Sequence, residues 1–337
     1  MTAGLGRRAR SVEEFGINMG ALAAIPPQNF RPLKAESGDV FIACWAKSGT
    51  TMMQQMFHQL RMGAATGKGD MDFDDISRMT PWEDSAPVID HDINGAQRAS
   101  PRGFKTHREY ERLPSGCRYV VTLRDPHETY ISMHRFFDGW VMEPGAISLE
   151  EFFPIWMTGG PGGCDYYTHL LSWWARRGEP DTLLATYRWA VKNKRAMIAR
   201  LAEFCGIELS EELASIVEDM TSREFMYAHK DRFDDAMFGA ALERKLGFPP
   251  DRDSTKVQAE GSDPKQVPPA IAEQIDAMWA NASRLLRATV TLPRSRQSLT
   301  GKQAYIPSRA GPDSPRPESF GDQRFTFFST YSVKSFE

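Results

Sequence analysis

The stretch Phe41–Phe57, FIACWAKSGTTMMQQMF, decides how this chain folds. It begins inside DVFIACWA (39–46), a continuous apolar run of strand length, as a central parallel strand requires. From Thr50 to Gly63, TTMMQQMFHQLRMG, apolar residues recur at helical spacing and the run ends in glycine. Between the two lies Lys47-Ser48-Gly49-Thr50-Thr51, where the strand hands over to the helix. Unpaired N–H groups and the helix dipole favour an anion at such a point. Gly49 lets the backbone approach closely, Thr50 and Thr51 add hydroxyl donors, and Lys47 adds a full charge. On the loop alone, an ordinary turn with Ser/Thr caps would read the same way. The order is not that of a Walker loop, whose lysine follows its glycine.

Working outward, YVVTL within CRYVVTLRDP (117–126) is a second buried strand, closed by Arg-Asp-Pro, and HETYISMHRFFDGW (127–140) reads as its helix. PRGFKTH (101–107) is a short strand ending in polar residues, and TLLATYRWA (182–190) reads as a further strand. DYYTHLLSWWARRG, KNKRAMIARLAEFCGI, SEELASIVEDM with Ser210 as its cap, and PPAIAEQIDAMWANASRLLR are helical. Strands alternating with helices predict one α/β domain over 39–290, a mostly parallel sheet flanked by helices. Residues 1–38 read as an N-terminal arm, 228–260 as a mobile excursion dense in charge, Gly and Pro, and 291–337 as an extended or weakly ordered tail. TGGPGG (158–163) is a surface loop, since no strand leads into it.

At 337 residues the chain can bury a large core. A net charge of −3 gives no global attraction to nucleic acid or an anionic membrane, so any polyanion must meet a local basic site. The four cysteines are far apart, with no metal-ligand spacing, as reduced thiols of a cytoplasmic protein would be. No stretch reaches the ~18 apolar residues a membrane span needs. A cytoplasmic protein with neither membrane nor nucleic-acid partner is the expectation.

AKSGTT resembles the 5′-phosphosulfate loop, PKSGTTW, of the cytosolic-type sulfotransferases. Other landmarks follow in family order: FKTH; YVVTLRDPHETYISMHRFF, similar to the unit that binds the 3′-phosphate; LLATYRWAVKNKRAMIARLAEFCGIEL; and MTSREFM, similar to TSFxxM. The similarity runs from about Val40 to Trp279. It implies a P-loop-like sulfotransferase fold and transfer of a sulfuryl group from 3′-phosphoadenosine 5′-phosphosulfate (PAPS) to an acceptor hydroxyl, without a metal.

The resemblance gives the residues their roles. His107 would be the general base, as imidazole titrates near neutrality. Lys47 would neutralise the leaving phosphate and bridging oxygen, and Lys105, on the same strand face as His107, would hold the sulfuryl group. Lys47, Ser48, Gly49, Thr50 and Thr51 would wrap the 5′-phosphate. Arg124, through its bidentate fork, and Ser132 would take the 3′-phosphate. Tyr187 and Thr221 would lie near the adenine, although Tyr187 also suits the core of a strand and Thr221 a helix cap.

The chain departs from the family at four places. The tryptophan after GTT is Met52. The phenylalanine of TSF is Arg223, whose guanidinium plane can stack on a base. The RKGxxGDW segment survives only as Lys256 and Gly261, with Arg252 nearby. The dimer motif KxxxTVxxxE is not matched by KQVPPAIAEQ, which leaves the oligomeric state open. The acceptor is expected to be small and apolar, facing Trp82, Phe136, Phe137 and Trp140. Two other readings stay open: a non-catalytic nucleotide-binding protein of the same fold, and a P-loop phosphotransferase, which would need a GK[ST] lysine and a Walker B acid.

Overall fold

The computed structural model describes residues 4–27, 30–158, 163–258 and 266–291. Gly261 and the tail 292–337 lie outside the described residues, as do 159–162 of TGGPGG. The chain divides into Met1–Ala272 and Glu273–Glu337. In the first unit, helix α1 (Val12–Ala24) precedes β1 (Val40–Ile42) and α2 (Thr50–Thr66). A short α3 (Ala86–Ile89) leads to β2 (Gly103–Lys105), β3 (Arg118–Leu123) and α4 (Pro126–Phe137). Helices α5 (Leu149–Met157) and α6 (Tyr166–Ala175) precede β4 (Thr182–Thr186). Then come α7 (Tyr187–Lys192), α8 (Lys194–Cys205), α9 (Glu211–Met220), α10 (Arg223–Ala228) and α11 (Ala236–Leu246). The last described helix is α12 (Pro269–Thr291).

The four strands form one parallel sheet in the order β2-β1-β3-β4. Every residue of β1 is buried, so the apolar run has no polar face, as a strand covered on both sides demands. On one face Val40, Ile42, Val120 and Leu183 join Phe57 and Leu60 of α2, Leu201 of α8 and Val217 of α9 in a continuous core. Helices on both faces leave the carboxyl ends of the strands as the place where loops converge, the usual ligand edge of such sheets.

Three segments differ from the sequence reading. TLLATYRWA is strand only to Thr186, whose side chain accepts from the Trp189 N–H and starts α7, so Tyr187 is a helical residue. The arm 1–38 contains α1, which packs against α5 and α11, with Phe15 stacked on Phe137 at 5.8 Å between ring centres. The excursion 228–260 contains α11, and Phe233 just before it is fully buried. In α11 the residues Ala241, Leu242 and Leu246 recur at helical spacing and are buried, within a segment otherwise dense in charge.

Candidate active site

The loop after β1 is built to keep a helix end open. Gly49 takes φ 101°, ψ 12° at the N-cap of α2, which has neither a side-chain cap nor an acidic residue in its first turn. A Cβ at Gly49 would sit 2.5 Å from Cδ2 of Tyr187, so glycine is required by both dihedral and space. Lys47 also has positive φ, 64°. Thr122 of β3 donates to the Ser48 carbonyl at 2.6 Å, and Arg124 donates through Nη1 to the Lys47 carbonyl at 2.9 Å. The Ser48 hydroxyl is buried with no hydrogen-bond partner among the described residues. An open 17-residue helix end with a spare buried hydroxyl suits an anion.

Lys47, Gly49, Thr50, Thr51 and Met52 line a cavity of about 800 Å³. Lys105, His107, Arg124, Ser132 and Tyr187 line it too, as do Thr221, Arg223 and Lys256. The residues singled out at the ends of β1, β2 and β3 therefore meet in one place, with Ser48 buried in the loop at its edge. Among the described residues, nine lysines and arginines and two acids, Glu128 and Asp235, contribute to the lining. A chain with net charge −3 thus carries a local cationic site.

His107 follows the end of β2 and is buried. Its Nδ1 lies 2.6 Å from the Cys44 carbonyl, which can only accept, so Nδ1 carries the proton and Nε2 is left as the basic nitrogen. Burial and the neighbouring Lys105 charge hold this imidazole well below its ordinary pKa, outweighing the Cys44 hydrogen bond. His107 is therefore neutral at physiological pH.

Lys105 is buried with Nζ 3.4 Å from the centre of the Trp82 ring and 3.4 Å from Asp235 Oδ1. Burial lowers its ammonium to about 8, against the opposing pull of Asp235. Lys47 Nζ lies 4.0 Å from the centre of the Phe136 ring, and burial with the Lys256 charge pushes it well down. Sequence reasoning missed Asp235, which joins Lys105 to Lys256, the latter at 2.5 Å. It stands in the segment read as an excursion, and nothing local in the sequence ties it to KTH.

At the other end of the cavity the polar side chains are tied to one another. Arg124 pairs with Glu128 at 2.8 Å and stacks its guanidinium 4.8 Å from the centre of Tyr187. Glu128 also holds Arg188. Thr221 follows the last residue of α9 and its hydroxyl donates back to the Val217 carbonyl; the helix cap expected of it falls to Ser222, which accepts from the Phe225 N–H at the start of α10. Arg223 starts α10 and donates through Nε to the Gln258 carbonyl at 3.0 Å. Lys256 sits with Lys47 and Lys105 rather than beside Arg124's carboxylate partner, and Arg252 is tied to Glu243 outside the lining. Of the expected aromatic wall, Trp82, Phe136 and Phe137 line the cavity, while Trp140 packs on Phe136 at 4.5 Å.

The sulfotransferase domain family matches residues 37–235. The chain belongs to the sulfotransferase family. Sulfotransferase 6B1 of Danio rerio is 25% identical over 228 residues, covering 65% of this chain and 75% of that protein. Cytosolic sulfotransferase 17 of Arabidopsis thaliana is 29% identical over 201 residues, covering 55% of this chain and 57% of that protein. Retinol dehydratase, solved with androsterone and the inactive cofactor PAP, shares the fold at 18% identity and a TM-score of 0.50, covering 78% of this chain and 83% of that one. This sulfotransferase has no helix, among the described residues, long and apolar enough to cross a membrane.

Proposed function

We propose that this sulfotransferase transfers the sulfuryl group of PAPS to a hydroxyl of a small apolar acceptor, with His107 as general base and Lys47 and Lys105 stabilising the transferring group. The observation that carries this reading is the meeting of Lys47, Lys105 and His107, from two different strand ends, at one cationic cavity. The open end of α2 and the spare Ser48 hydroxyl fit the 5′-phosphate. Arg124 and Ser132, with the Tyr187 ring against the arginine, fit the nucleotide's second phosphate. Met52, Thr221 and Arg223 are left for the adenine. When bound, PAPS supplies an activated sulfuryl group and a phosphate to leave it.

The chain's own residues account for the rest. Neutral His107, with Nδ1–H fixed on Cys44, can take the acceptor's proton at Nε2. Lys105 is buried and Lys47 half-buried at the cavity, where fixed positive charge is worth more against developing negative charge than in open water. Trp82, Phe136 and Phe137 give the acceptor an apolar surface. Retinol and androsterone, seen with retinol dehydratase, illustrate the class of alcohol such a wall would hold. A screen of phenols, sterols and lipid alcohols with labelled sulfate donor and mass detection tests the reading. A sulfated product is expected; no product from any alcohol, with PAPS bound, would favour a non-catalytic nucleotide-binding protein.

A further inference from the structure

Asp235 stands at the N-cap position of α11 yet makes no side-chain cap to that helix. The cap comes from far away: Asp75 Oδ2 accepts the Met237 N–H at 3.0 Å. Asp235 instead adopts a left-handed backbone, φ 56°, ψ 44°, and is 2% exposed. A non-glycine residue in that region costs energy, so the conformation is held by what the side chain does. One carboxylate oxygen, Oδ1, meets both Lys105 Nζ at 3.4 Å and Lys256 Nζ at 2.5 Å. An aspartate that forgoes its cap to bridge buried Lys105 and half-buried Lys256 serves the cavity rather than the helix.

We propose that Asp235 is a positioning residue of the transfer centre: it holds Lys105 and Lys256 on one carboxylate oxygen and releases both to the anionic groups of the incoming sulfate donor. The proposal rests on the sulfotransferase reading, adds Asp235 to it, and moves Lys256, expected at the 3′-phosphate, to the transfer centre as a third lysine beside Lys47 and Lys105. Without the carboxylate, three lysines would face one another in a buried site. Lys105 also faces Asp84, Asp75 and His107, so its charge depends on the whole set. Burial alone would push the Asp235 carboxyl up, but Lys105 and Lys256 outweigh it and hold the group well below the usual carboxylate range. Asp235 is therefore ionised across the working pH range and competes with any anion for the same lysines.

The test uses the full chain and 3′-phosphoadenosine 5′-phosphate as probe, titrated calorimetrically from pH 6.5 to 9.5 in buffers of different ionisation enthalpy. The wild-type protein should take up protons on binding as the pH passes about 8, when Lys105 recovers its charge. Asp235→Asn should bind the probe on the order of tenfold more tightly at pH 6.5, and its uptake should begin about one unit lower. Lys256→Met should bind more weakly and shift the onset upward, because one repelling cation is gone. A generally damaged fold would weaken binding in both variants and could not move the onset in opposite directions. Should Asp235→Asn not fold, the Lys256→Met shift decides alone. Unchanged affinity and onset in the folded variants would overturn the role of Asp235. Absence of binding by the wild-type protein would instead overturn the sulfotransferase reading on which it rests.

Discussion

The ring of Tyr187 lies across the backbone of Gly49, close enough that a β-carbon there would sit 2.5 Å from Cδ2. The start of α7 thereby closes over the loop after β1, and the same ring carries the Arg124 guanidinium on its own surface. The anion loop, the β3 arginine and the residue following β4 act as one unit.

Gly49→Ala should break that unit. The substitution adds both a clash and a residue with φ near 100°, so stability should fall by about 1–3 kcal/mol. Binding of 3′-phosphoadenosine 5′-phosphate should fall with it. Denaturant unfolding and a binding titration check both; a variant of normal stability and affinity would show that the loop can move away from Tyr187.

The loop, the sheet and the order of the site residues are legible in the sequence because they depend on local pattern: an apolar run, a turn of small polar residues, a helical period. Tyr187 is not, because the apolar run TLLAT before it continues as a strand into an aromatic residue, and only the Thr186 cap reveals the change to helix. Helix α11 is hidden because the segment around it is dense in charge, Gly and Pro, and its inward residues, Gly239, Ala241, Leu242 and Leu246, are mostly small or late in the run. Asp235 is legible from no window at all. Its meaning arises only when Lys105, 130 positions away, arrives beside it.

Arg124→Lys should weaken binding of 3′-phosphoadenosine 5′-phosphate by about tenfold or more. Lysine keeps the charge but loses the fork that now reaches both Glu128 and the Lys47 carbonyl. The same titration on adenosine 5′-phosphosulfate, which lacks the 3′-phosphate, should show a smaller change. Equal losses for the two nucleotides would place Arg124 away from the 3′-phosphate.

Stability should fall as the pH drops from about 6.5 to 4. Burial and Arg61 lower His58 to about 4 despite its bond to Asp70, and burial lowers His169 to about 3. Both lie below the unfolded value of 6.5, so the unfolded chain binds more protons in this window and stability rises with pH. His58 alone contributes about 3 kcal/mol of this dependence. Urea midpoints at pH 7 and 4.5 check it; equal midpoints would mean that these imidazoles become solvated before global unfolding.

The most direct measurement compares sulfuryl transfer by the wild-type chain and by His107→Ala, with an acceptor found in the alcohol screen and with nucleotide affinity measured on both. Loss of the base should cut turnover by about 10²–10⁴-fold while 3′-phosphoadenosine 5′-phosphate binds nearly as before. Undiminished turnover by His107→Ala would contradict the account.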